Sequence, residues 1–121
     1  MSSEISDVSA AWAEGDSGVS ADEKVDVITG PTNIRGVYLC QALVAASRPA
    51  SDTMVSFWDV VGGTSTQLFK MCLPPDGPVA SVLLPDDGYV RCDGDLKVSV
   101  DDTNGAAQFR VTVFYTGGSE A

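Results

Sequence analysis

The chain has 121 residues, 17 of them acidic against 7 basic, for a formal net charge of −10 and no histidine at all. That length suits one domain able to bury a core without disulfide or metal staples. The charge disfavours nucleic-acid phosphate and anionic membrane surfaces as partners and leaves cationic protein surfaces open, while the missing histidine removes the commonest general base and metal ligand.

Residues 1–23 carry Glu4, Asp7, Glu14, Asp16, Asp22 and Glu23 with no Lys or Arg, among Ser, Ala and Gly, and are expected to form an acidic N-terminal arm. The start holds acids where a secretory leader needs basic residues, and no run approaches the roughly 20 apolar residues of a membrane span, so neither export nor membrane insertion is expected. Within the arm, Ile5, Val8 and Trp12 recur at spacings of three and four. That spacing predicts one short helix, with Ser6 or Asp7 as N-cap and Gly15 as stop. Burying the three side chains yields roughly 7–10 kcal/mol gross, against about 8–16 kcal/mol of backbone entropy for ordering Ile5 to Trp12. The arm is therefore expected to stay loose until a partner receives it, with Trp12 as anchor.

From Lys24 onward, short apolar runs alternate with Gly, Pro, Asp and Asn, the texture of an antiparallel sandwich or barrel. Eight strands are expected, at 24–29, 34–44, 53–61, 64–72, 79–85, 88–93, 95–100 and 106–116. Turn-forming residues lie between them, as in "VGGTS", "PDDG" and "CDGD", and the short connections favour antiparallel pairing. The last strand shows the pattern best: Phe109, Val111, Val113 and Tyr115 hold one phase, and Phe114 breaks the polar phase formed by Gln108, Arg110 and Thr112. The expected fold class is all-β, a single antiparallel β-sandwich of jelly-roll-like type over residues 24–116. It is preceded by the flexible arm 1–23 and followed by a flexible tail, 117–121.

Cys40, Cys72 and Cys92 lie far apart and include no CxxC pair, which removes the usual zinc and redox spacings. An odd number of cysteines in apolar surroundings predicts three reduced thiols behaving as small buried hydrophobes, and a reducing compartment. The acid pairs Asp86/Asp87 and Asp101/Asp102 sit in turn clusters beside Gly or Asn. Asp is expected there for backbone reasons, ahead of calcium binding or acid catalysis. The "DGD" at 93–95 lacks the remaining ligands of a calcium loop. Neither a G-x-S-x-G elbow nor a P-loop is present, so no catalytic residue, cofactor or metal is expected. In "VSFWDV", Trp58 shares a face with Met54, Ser56 and Val60, opposite Val55 and Phe57. Apolar content on both faces predicts a strand covered on both sides. Trp58 then packs within its own subunit or contacts a partner subunit or a carbohydrate.

The succession "TNIRGVYLCQA", "WDVVGGTSTQLFKM", "LPDDGYVRCDGDLKVSV" and "FRVTVFY" resembles the small β-sandwich proteins encoded in the structural modules of tailed phages. The resemblance covers about residues 32–116. It rests on the order of Arg35, Gly36, Val37, Tyr38, Asp59, Gly62, Gly63, Gly88, Tyr89, Gly94, Leu96, Val111, Thr112, Val113 and Tyr115, since each piece alone is only a Gly-bounded strand. Some members of that group are capsid decoration, or cement, proteins, and others are tail or fibre-base components. The resemblance implies a non-enzymatic virion protein assembled in the host cytoplasm. Its implied place is the capsid surface, bound to the major capsid protein as a small homo-oligomer, a trimer by lattice symmetry. Ile5, Val8, Trp12 and Trp58 are the expected partner-binding residues. A carbohydrate-binding β-sandwich, which would want several exposed aromatics in a row, is the competing class. A small acidic enzyme or inhibitor would want a convergent polar pocket.

Overall fold

The computed structural model describes residues 8–16, 24–41, 53–73, 79–85, 88–101 and 108–121. Among them every regular element is a strand. The strands are β1 (Ser9–Asp16), β2 (Val25–Thr29), β3 (Thr32–Gln41), β4 (Thr53–Val61), β5 (Thr64–Leu73), β6 (Val79–Leu83), β7 (Val90–Cys92), β8 (Asp95–Asp101), β9 (Gln108–Thr116) and β10 (Ser119–Glu120). They form two antiparallel five-stranded sheets. The first runs β1-β9-β3-β6, with β7 also on β3, and the second runs β10-β2-β8-β4-β5. The inner faces share one core, in a sandwich-like arrangement not closed into a barrel.

The pairing is nested. β4 pairs with β5 at the centre of the chain, β3 with β6, β2 with β8, and β1 with β9 outermost, as in one long hairpin folded over on itself. Its tip is the two-residue turn Gly62–Gly63, with φ of 55° and 84°, a conformation in which two successive positive φ values match the twist of the flanking strands. Period-2 alternation fills the core from both sides. Val37 and Leu39 of β3 and Val111 and Val113 of β9 face Val55 and Phe57 of β4 and Leu96 and Val98 of β8, all essentially inaccessible to solvent. Phe57 also stacks on Phe69, with ring centroids 4.4 Å apart.

The predicted runs from 24 to 116 all contain strands; residues 42–44 and 106–107 of those runs lie outside the described residues. The helical reading of the Ile5–Trp12 segment is corrected: where described, the segment is extended, and β1 pairs with β9 from Ser9↔Tyr115 to Asp16↔Gln108. Ala11 and Ala13 point inward and are buried, so period 2 and an available ladder of backbone partners outweigh a three-and-four spacing that rested on three side chains. Past Thr116, Ser119 and Glu120 pair with Thr29 and Ile28. The buried Thr32 hydroxyl lies 3.1 Å from each of the Thr116 and Gly117 carbonyl oxygens and fixes the crossing between sheets.

Candidate docking face

The outer surfaces of the two sheets differ in kind. Around Trp58 and Lys97, on the β2-β8-β4-β5 sheet, the outward side chains are partnered internally. Lys97 Nζ lies 3.0 Å from Asp26 Oδ1, the Trp58 indole Nε1–H donates to Ser99 Oγ at 2.8 Å, and Lys24 Nζ sits 4.8 Å from the Trp58 ring centroid. Trp58 is half-buried, and beneath it Ser56 and Ser99 are buried. Of the readings open for Trp58, packing within its own subunit is therefore the one the geometry supports.

The outer surface of the β1-β9-β3-β6 sheet carries an apolar patch, bordered by the exposed Arg110 in the row Glu14–Arg110–Cys40. Trp12 lies opposite Thr112, Thr112 opposite Tyr38, and Tyr38 opposite Ser81, making one row across four strands. The adjoining row is Ala10, Phe114, Gly36 and Leu83. Directly opposed residues share a face, so the two rows form one patch. Trp12 is 58% exposed, Tyr38 45% and Leu83 75%, far more than side chains covered by their own subunit. Gly36 keeps the second row low. A Cβ built on it would lie 2.7 Å from Leu83 Cδ2 and 3.5 Å from Phe114 Cδ2, so the leucine lies over the bare backbone and extends the apolar strip from Phe114. Between the rows runs a shallow groove of about 430 Å³, lined by Val37, Tyr38, Ser81, Leu83, Thr112 and Phe114.

Of the expected partner-binding residues, Ile5 lies outside the described residues. Val8, 37% exposed, precedes β1 and shares the parity of Ala10 and Trp12, so the strand brings Val8 and Trp12 to one face by period 2. Trp58 is on the other sheet, and the structure does not bring it to this face. Tyr38, Leu83 and Phe114 belong to the patch although sequence reasoning did not select them as partner-binding residues. Phe114 was legible as the one break in the polar phase of its strand, whereas Leu83 became visible only through its register with Gly36.

Among the described residues no group of three or more His, Cys, Asp or Glu side chains could hold a metal, and no helix is long and apolar enough to cross a membrane. Asp86, Asp87 and Asp102 lie outside the described residues. In "DGD", Asp95 Oδ1 accepts from Gly30 N at 2.9 Å, and Asp93 Oδ1 meets Arg91 Nε at 3.0 Å. Asp59 accepts from the backbone N–H groups of Asp93 and Gly94 at 3.0 and 2.8 Å, so these acids act as turn clamps. None of the three cysteines is in a disulfide, but only Cys92 is buried; Cys40 is intermediate and Cys72 exposed. The expectation of three buried thiols is thus corrected, because Cys72 falls on the outward phase of the edge strand β5. Burial, with Asp59 beside it, pushes the Cys92 thiol up to about 12. No family model and no curated protein matches the chain.

Proposed function

We propose that the chain is a non-enzymatic virion structural protein, a decoration (cement) protein that binds the outside of a phage head through the outer face of the β1-β9-β3-β6 sheet. The observation that carries this reading is the patch around Trp12, Tyr38, Phe114 and Leu83, set on a rigid core and unpartnered among the described residues. Such a surface is what a docking module needs: large aromatic anchors close together and held by a ladder, with a low conformational cost on binding. The nested pairs β4–β5, β3–β6, β2–β8 and β1–β9 support a jelly-roll-like sandwich once the short β7 and β10 are set aside, an architecture used in viral capsids. The resemblance of the 32–116 strand succession to phage structural proteins points the same way, with the major capsid protein as partner. A tail or fibre-base position shares the same chemistry.

Co-sedimentation with undecorated heads tests it. The parent protein pellets with the heads and raises their resistance to heat, while a Trp12→Ala/Tyr38→Ala variant stays in the supernatant. Undiminished binding of that variant would overturn the assignment of the face.

One observation favours a second reading, a carbohydrate-binding module. Trp12 and Tyr38 stand in one row about 9.5 Å apart, two strand spacings, with the Thr112 hydroxyl between them. Two rings so placed can stack on successive faces of an extended sugar chain. Binding of soluble glycans, lost in the same double variant, would support this reading over the first.

A further inference from the structure

We propose that β5 is the pairing strand of a two-fold homodimer, in which the β5 strands of two copies lie antiparallel and join their sheets. The surface is distinct from the docking face, and the proposal stands whether or not that face binds a capsid. Among the described residues, β5 is an edge strand of ten residues, paired on one side only, with β4. Such a row of backbone donors and acceptors is a template for a further strand.

The occupant is argued from charge, side-chain parity and an adjoining cleft. At a net charge of −10, two copies repel almost everywhere, yet Thr64–Leu73 contains no acid and one base, Lys70. Of the other edges, β1 carries Glu14 and Asp16, β10 is two residues long and includes Glu120, and β6, which has no charge, has five residues against ten. The β4–β5 register shifts between Phe57 and Trp58, leaving Leu68 as the extra residue, so Leu68 and Phe69 both turn toward the core while Gln67 and Lys70 on either side face outward. That pattern is symmetric about the Leu68–Phe69 midpoint. A two-fold axis there sets Leu68 opposite Phe69, Gln67 opposite Lys70 and Thr66 opposite Met71, with every pair on matching faces and no like charges opposed. At the same midpoint opens an apolar cleft of about 190 Å³ between the two sheets, lined by Leu68 and Phe69 with Ile34, Val37, Leu84 and Val90. The two clefts meet across the axis, and the pairing covers them.

Sedimentation equilibrium of the full chain over a dilution series tests the proposal. The expected result is a dimer that dissociates on dilution, with affinity altered in opposite directions by two substitutions at an exposed, outward position. Gln67→Glu, facing Lys70 twice per dimer, tightens it about two- to thirtyfold, and Gln67→Lys weakens it by a similar factor. Trp12→Ala leaves it unchanged. A monomer at all concentrations, a trimer, a dimer insensitive to both Gln67 substitutions, or a dimer dissociated by Trp12→Ala would each overturn it. Amide exchange of the parent gives an answer without substitution: protection at residues 66–72 rises with protein concentration, and protection independent of concentration refutes the pairing.

Discussion

Replacing Trp12 by alanine separates docking from folding more cleanly than any other single change. The side chain is 58% exposed, and a large aromatic removes about 150–250 Å² from water when fully covered. A partner can therefore still cover about 90–150 Å², worth about 2–4 kcal/mol at about 25 cal/mol per Å², or about thirtyfold or more in affinity. The part already covered by the fold contributes at most about 2.6 kcal/mol to stability at the same coefficient, an upper bound because unfolded chains bury some surface too. Trp12→Ala should therefore fold, melt only slightly below the parent, and lose most of its binding. Trp58→Ala should do the reverse, because it removes the Ser99 hydrogen bond and the Lys24 contact, neither of which lies on the docking face. The assay titrates undecorated heads with each variant at fixed salt, pellets them, and records a thermal melt of the same preparation. If Trp12→Ala binds within a factor of two of the parent while Trp58→Ala, still folded, releases the heads, the assignment of the face is wrong.

Gly94→Ala should destabilise the protein by about 2 kcal/mol or more, because a Cβ there runs into the Val60 carbonyl and the backbone must move off the Asp59 clamp; urea unfolding measures the loss. Phe57→Ala should cost about 3–5 kcal/mol, since the ring is fully buried and stacked on Phe69, and the same titration checks it. Cys92 should resist alkylation at pH 8 in the native protein while Cys72 reacts, which mass mapping of the labelled thiols decides. Because the Cys92 pKa is raised on folding, from 9.0 to about 12, the unfolded chain releases that proton first. The stability this thiol contributes is complete below about pH 9 and falls as pH rises toward 12, a loss that Cys92→Ala should abolish in pH-dependent melts.

Strands β2 to β9 were legible because their cores are built by alternation and their turns by Gly, Pro, Asp and Asn. In β9, Val111 and Val113 are buried and alternate with the exposed Arg110 and the half-buried Thr112. β1 was misread for a physical reason: its inward residues are alanines, Ala11 and Ala13, too small to mark a core face, so the larger Ile5, Val8 and Trp12 dominated the periodicity. The docking patch was half visible. Trp12 stood out by size, but its neighbours Tyr38, Phe114 and Leu83 lie on three other strands, and their adjacency depends on registers that include the irregularity between Ile34 and Gly36. A local pattern holds no information about which strands become neighbours. Trp58 drew attention for the same reason as Trp12, and only its contacts with Ser99 and Lys24 distinguish it.

The outermost pair of the nested ladder joins β1 to β9, two strands far apart in the chain. Ser9 pairs with Tyr115, so a chain emerging from the ribosome carries β1 through the synthesis of β2 to β8 before β9 exists to receive it. Trp12 and Tyr38 become neighbours only across β9. A chain interrupted before β9 thus holds both aromatics but cannot align them, and the face proposed for docking comes into being only when translation has passed through β9. Long-range pairing of this kind is slow. In exchange the face proposed for docking forms only on a chain that carries both β1 and β9.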